Sequence, residues 1–231
     1  MPQIVDRMLE AADGSLRQIT IAPELPHSIS AIRQFAAAGT VPAVGHCDAD
    51  YETARRAFDA GAGIMTHMFN AMNGLHHREP GPIPAAVEDP RVTIELINDG
   101  FHVQDPMVKL GFEFAPHRTA FVTDAMAATD CPDGPYKLGA LDVNVVDGHA
   151  RLVSNGAIAG STLLLEVAVQ RAVNELGISP GRRRRGCHAG ARARVRLRQA
   201  ERGHRRPAGS ARARVRRRLL LTDPSSWTVN Q

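Results

Sequence analysis

The chain has 231 residues, 43% of them hydrophobic, which fits one soluble α/β domain with a sizeable core, and no apolar stretch approaches the roughly 20 residues of a membrane span. Its net charge of +4 hides two compositions: residues 1–180 hold 12 Lys and Arg against 22 Asp and Glu, a net of −10, whereas residues 181–231 hold 16 Arg, no Lys and two acids, a net of +14. Three cysteines without paired spacing (Cys47, Cys131, Cys187) and no secretory leader pattern exclude a disulfide framework and make a reducing cytoplasm the expected setting.

In chain order, Arg17 to Ala22 reads as a strand, followed by a helix from a Ser28 or Ser30 cap to Gly39, a residue suited to a helix end. Val41 to Gly45 is a second strand ending at His46, and Asp50 can cap a helix over Tyr51 to Ala60 that stops at Gly61. Ile64 to Thr66 leads straight to His67. Arg91 to Ile97 is a strand running into Asn98-Asp99-Gly100-Phe101-His102, and Asp105-Pro106 starts a helix, because proline there lacks only an N–H that would be unpaired anyway. Thr119 to Thr123 is a strand ending at Asp124. Lys137 to Val153, with turn residues Asp147 and Gly148, reads as a β-hairpin insertion, and Ser161 opens a helix that ends at Gly177.

This βα alternation predicts a parallel sheet covered by helices. His46, His67, Asn70, Arg78, His102 and Asp124 all fall at or just beyond strand carboxyl ends, the face on which barrel enzymes build active sites. An open doubly wound sheet also binds ligands at strand carboxyl ends, so placement alone does not close a barrel.

Two histidines ending consecutive parallel strands point into one mouth, close enough to share a divalent metal through neutral imidazole nitrogens. Either alone could simply hydrogen-bond at a strand end; an aspartate on a later strand, Asp124, tips the reading to a metal hydrolase. There a carboxylate takes a proton from water and returns it to the leaving amine. The bland use of Asp124 is a turn cap. Arg78 offers a planar fork for phosphate, against the plain alternative of a surface pair with Glu79. Asn70 and the backbone N–H of Ala71 supply further donors.

The segments GHCDAD, THMFNAM, HHREPG, NDGFHVQD, FVTDAMAA and AIAGST, in this order and spacing, resemble the N-acetylglucosamine-6-phosphate deacetylase family of the amidohydrolase superfamily over roughly residues 15–180. The resemblance implies a partial (β/α)8 TIM-type barrel over 1–180, with His46 and His67 as metal ligands and Asp124 as the catalytic acid and base. It further implies substrate contacts at Asn70, Ala71, Arg78, Asp99, Gly100, Phe101, His102, Ile158, Ala159 and Gly160. Zinc is the expected ion, with iron, cobalt or manganese as alternatives. The implied substrate is a small phosphorylated amino sugar, losing acetate from N-acetylglucosamine 6-phosphate, and the implied assembly is a homodimer in which Arg78 serves the neighbour's phosphate. Another metal-dependent amidohydrolase, dihydroorotase-like, is the alternative enzyme.

The chain departs from the family pattern in lacking the upstream HLEGP-like segment, whose Glu is the third metal ligand, and the early His-x-His. Glu24 follows a strand, but its Ala22-Pro23-Glu24 setting matches a later family stretch and reads as structural. The chain is therefore expected to be N-terminally incomplete, with weak metal binding, poor solubility and little activity, since a catalytic zinc normally has three protein ligands. The basic segment 181–231 could bind nucleic acid through charge alone, but has only Trp227 as a stacking aromatic. Its Ala-Arg alternation without lysine is what a one-base slip yields from GC-rich codons, so it is expected to be a non-native or disordered tail.

Overall fold

The structure, a computed structural model, describes residues 2–178. The expectations for residues 181–231 lie outside the described residues.

Helix α1 (Pro2–Ala12) precedes five strands: β1 (Gln18–Ile21), β2 (Val41–Val44), β3 (Ile64–Met65), β4 (Thr93–Ile97) and β5 (Thr119–Val122). All four pairings are parallel, and the spatial order β1-β2-β3-β4-β5 is the chain order. A doubly wound sheet reverses its strand order at a switch point, whereas parallel crossovers of one hand with no reversal leave every helix on one face. Sequential order is the winding of a (β/α) barrel, so the barrel reading of the sequence holds over these strands.

The intervening helices are α2 (Ser28–Ala37), α3 (Tyr51–Asp59), α4 (Ile83–Glu88) and α5 (Asp105–Phe114). Each buries a stripe set by the helical period: Ile32 and Phe35 on α2, and Ala54, Ala57 and Phe58 on α3. Ile32, Ala54, Ala57 and Phe58 join Val44, Met65, Ile94 and Leu96 in the main core. Gly111 of α5 lets the helix sit against the sheet, because a Cβ there would lie 2.8 Å from Leu96 Cδ1. The opposite face carries polar side chains among apolar ones: Thr20 and Thr66 hydroxyls are 2.9 Å apart, and Gln18 donates to Glu95 across the sheet.

Asp50 caps α3 as expected, accepting the Thr53 N–H at 2.7 Å. Ser28 does not cap α2; its hydroxyl donates to the Pro23 carbonyl, and His27 occupies the cap position in a left-handed conformation. The expected hairpin is a three-stranded antiparallel sheet, β6 (Gly134–Leu138), β7 (Leu141–Val146) and β8 (His149–Leu152), with its own small core of Val143, Val145 and Ala150 against Met126 and Ala159. Helix α6 runs Leu165–Asn174, beginning four residues after the expected Ser161 start. No described helix is long and apolar enough to cross a membrane.

Candidate active site

The end of β2 is shaped by Gly45, where a Cβ would fall 2.7 Å from the Thr66 Cβ; only glycine lets β2 and β3 deliver the following His46 and His67 side by side. The two imidazoles sit edge to face with ring centroids 4.8 Å apart. His46 is exposed and His67 is 4% exposed, with its Nδ1 buried and without a hydrogen-bond partner. Burial pushes the His67 pKa down, the neighbouring His46 adds to this, and the Asp124 charge opposes it, so the neutral, ligating form is favoured. An orphaned ring nitrogen is the kind of group that a bound cation satisfies. The donor set that fits is these two imidazoles; among the described residues no group of three or more His, Cys, Asp or Glu is placed to hold a metal.

His46, His67 and Asp124 all adopt positive φ (48°, 30° and 49°), as do Phe69 and Ala71 in the loop after β3. Left-handed backbone at non-glycine residues costs roughly 1–2 kcal/mol each and concentrates at functional sites.

Asp124, exposed at the end of β5, is braced by the segment that carries three of the expected substrate contacts. Its carbonyl accepts the Ser161 N–H at 2.8 Å, the Ser161 hydroxyl donates to the Thr123 carbonyl, and Met126 N–H returns to Ser161. That commitment explains why Ser161 cannot open the helix. Gly160, at φ +68°, passes so close that a Cβ would lie 3.0 Å from the Asp124 carbonyl oxygen. Ala159 is buried and Ile158 is 39% exposed.

After β4, Asp99 gathers its loop. Its Oδ1 accepts the N–H groups of Phe101 and His102 at 2.8 Å each, and its Oδ2 pairs with His102 Nδ1 at 2.6 Å. Burial would raise the Asp99 pKa, but these hydrogen bonds, His102 foremost, hold it below the usual carboxylate value. Two supports were not legible in the sequence: buried Asn98 donates to the Ala168 carbonyl, and the Arg171 guanidinium packs on Gly100 while pairing with Asp105 and Glu175.

Asn70 uses its side-chain N–H groups on the carbonyls of His67 and Met68, which folds the loop after β3, and the Ala71 carbonyl accepts from Cys47. Arg78 donates to His77 Nε2 at 2.6 Å, and engages that ring rather than Glu79. It lines a cleft of about 620 Å³ with Asp48, Asp50 and Glu79; neither histidine of the pair nor Asp124 lines this cleft. The structure thus brings His46, His67 and Asp124 into one electrostatic neighbourhood, while Arg78 lines the neighbouring cleft. Glu24 accepts the Asp48 N–H at 2.8 Å, a structural use that matches its sequence reading.

A sequentially wound parallel sheet presenting two histidines and an aspartate at its carboxyl ends is the arrangement of the amidohydrolase barrel class. No protein-family model matches the chain. The N-acetylgalactosamine-6-phosphate deacetylase of Escherichia coli O157:H7 is 39% identical over 176 residues, 76% of this chain and 46% of that protein. The N-acetylglucosamine-6-phosphate deacetylase of Vibrio furnissii is 40% identical over 154 residues, 67% and 38% respectively. Among solved structures, a variant of the Mycobacterium smegmatis N-acetyl-D-glucosamine-6-phosphate deacetylase, in complex with N-acetyl-D-glucosamine-6-phosphate, matches with a TM-score of 0.75 at 45% identity, covering 78% of this chain and 47% of that one. The chain belongs to the N-acetylglucosamine-6-phosphate deacetylase family, whose members are metal-dependent amidohydrolases, and it spans less than half the length of these relatives.

Proposed function

We propose that residues 1–180 form a catalytic unit that removes the acetyl group from N-acetylglucosamine 6-phosphate, yielding glucosamine 6-phosphate and acetate. The observation that carries this reading is the His46–His67 pair, 4.8 Å between rings, with a buried unpartnered nitrogen and the Asp124 charge in range. A divalent ion held by His46 and His67, zinc by preference, would supply Lewis-acid catalysis for amide hydrolysis. Asp124 accepts the proton of the attacking water and delivers it to the amine nitrogen as the C–N bond breaks, which turns a poor leaving group into a neutral amine. Asn70 and Ala71, the Asp99–His102 loop and the Ile158–Gly160 segment position the sugar. Arg78, exposed at the rim of its cleft, suits a phosphate presented by a second copy of the chain, which makes the working assembly a homodimer. A cytoplasmic setting accords with Cys47 and Cys131 being unpaired. The C4 epimer, N-acetylgalactosamine 6-phosphate, is a second candidate substrate because the Escherichia coli relative bears that name.

The test is acetate release by the purified chain from both epimers across a zinc titration, with metal content measured in parallel. Slow release that rises with zinc, and falls by about 10²–10⁴ in Asp124→Asn, supports the reading. Zinc-independent release, or no zinc uptake even at high concentration, refutes it.

A further inference from the structure

Strand β8 touches both segments to which substrate contacts are assigned. Through its backbone it holds the Ile158–Gly160 segment: Arg151 bridges Ile158 in antiparallel register, the Ala159 N–H donates to the Ala150 carbonyl at 3.1 Å, and the Leu152 N–H donates to Ala157. Through its side chains it holds the loop after β4. His149 stacks on the Phe101 ring, with centroids 4.0 Å apart and planes 18° from parallel, and the Arg151 guanidinium carbon lies 5.0 Å from the centre of the same ring. His149 and Arg151 are two residues apart, so they project from one face of the strand. Phe101 in turn meets His102 edge to face, and the N–H groups of both residues are gathered by Asp99. Two segments separated by more than 50 residues of chain therefore share one strut.

Arg151 also donates to the Gly156 carbonyl at 2.8 Å, in the turn that follows its strand, whereas no such local partner among the described residues accounts for His149. Both are exposed, His149 makes no hydrogen bond that the fold requires, and a strand facing solvent would be served as well by threonine or valine. Their common partner is Phe101. An exposed histidine and arginine converging on one half-buried ring contribute through ring stacking and cation–π attraction, terms that are modest in size but directional. Direction is what a substrate loop needs, since small displacements of contact residues weaken binding and turnover.

We propose that His149 and Arg151 are positioning residues, holding Phe101, and with it the Asp99–His102 loop, in register with the Ile158–Gly160 segment. This rests on the reading of those two segments as substrate contacts, and the test separates the two claims. Amide hydrogen exchange is measured residue by residue in the wild-type chain, H149A, R151A, the double variant and H149F, alongside calorimetric binding of N-acetylglucosamine 6-phosphate. The amides of Phe101 and His102 exchange roughly five-fold faster in each alanine variant and roughly ten-fold or more in the double variant. The Ala159 amide, bonded to the β8 backbone, and the Thr93 amide, bonded to Gly63, stay as protected as in wild type. H149F, which keeps a stacking ring, restores protection. Sugar-phosphate affinity follows the same order. Unchanged protection at Phe101 and His102 in the double variant overturns the proposal, as does equal loss at Thr93, which marks general destabilisation. Absence of sugar-phosphate binding in the wild-type chain defeats the functional reading instead, while the exchange data still decide the positioning role.

Discussion

Gly160→Ala probes how tightly the expected substrate segment braces Asp124. Gly160 sits at φ +68°, where an L side chain costs about 1–2 kcal/mol, offset by about 0.4–1 kcal/mol from the reduced freedom of the unfolded chain, for a net loss near 1 kcal/mol. The new methyl group would also lie 3.0 Å from the Asp124 carbonyl oxygen and 3.4 Å from Met126 Cβ. That carbonyl cannot swing away freely, because it accepts the Ser161 N–H at 2.8 Å, and forcing atoms into such a packed place costs about 1–3 kcal/mol. The total is about 2–4 kcal/mol. Gly156 is the internal control: at φ +75° with no atom within 4 Å of its would-be Cβ, Gly156→Ala incurs only the backbone cost. Urea denaturation of the three proteins, compared at equal m-value, reads the difference directly. Equal midpoints for Gly160→Ala and Gly156→Ala would refute the close bracing of Asp124 by this segment.

Arg118→Ala removes a guanidinium that donates to the carbonyls of Ala86, Asp89, Val92 and Val87 around the end of α4, and lowers stability by about 2–3 kcal/mol, with Arg118→Lys recovering only part; a loss under about 0.5 kcal/mol would show those bonds to be idle. The His67 pKa is depressed in the fold, so the unfolded chain binds a proton first, near the ordinary value of 6.5; stability is full above that pH and falls as pH drops from there toward the folded value. His67→Gln flattens this limb in urea midpoints measured between neutral and mildly acidic pH, and an unchanged slope would mean that another group carries it. His46→Gly relieves the strain at φ 48° and leaves stability equal or higher, by up to about 1 kcal/mol, while zinc uptake in a dialysis assay is lost; a clear drop in stability would show that the imidazole serves the fold.

The five parallel strands were legible because each is a short apolar, β-branched run bounded by turn residues, and their sequential order then follows from the shortness of the βα connections. What escaped did so for local reasons. Helix α4 is six residues, IPAAVE, too short to show a period and begun by proline. Strand β6 carries Pro135 after Pro132-Asp133-Gly134, which reads as a turn; the structure tolerates it because β6 is an edge strand, where a missing N–H is harmless. Ser161 has the chemistry of a helix cap, but its hydroxyl is committed to Thr123, a partner 38 residues away that no local pattern reveals. The positions of His46, His67 and Asp124 at strand ends were likewise readable. The orphaned nitrogen of His67 was not, since its burial is set by the folded surroundings and not by any local pattern.

The backbone conformation at these three positions is consistent with the shared role proposed for them. At Gly100, Gly156 and Gly160 the chain turns through positive φ and uses glycine, the residue for which such a turn is free. At His46, His67 and Asp124 it makes the same kind of turn with imidazoles and a carboxylate, at a conformational cost glycine would have avoided. His67 additionally buries a polar nitrogen without a partner, a loss of roughly 1–3 kcal/mol in a fold whose whole margin is about 5–15 kcal/mol. Positive φ also occurs at His27, His117, Asp130 and Asp147, so strain alone marks no site; what distinguishes this group is that strain and an unpartnered buried imidazole nitrogen fall together at the carboxyl ends of β2, β3 and β5. Their coincidence is accounted for if the side chains have a common ligand to meet, and the fold's contribution is a sheet rigid enough to keep them facing it.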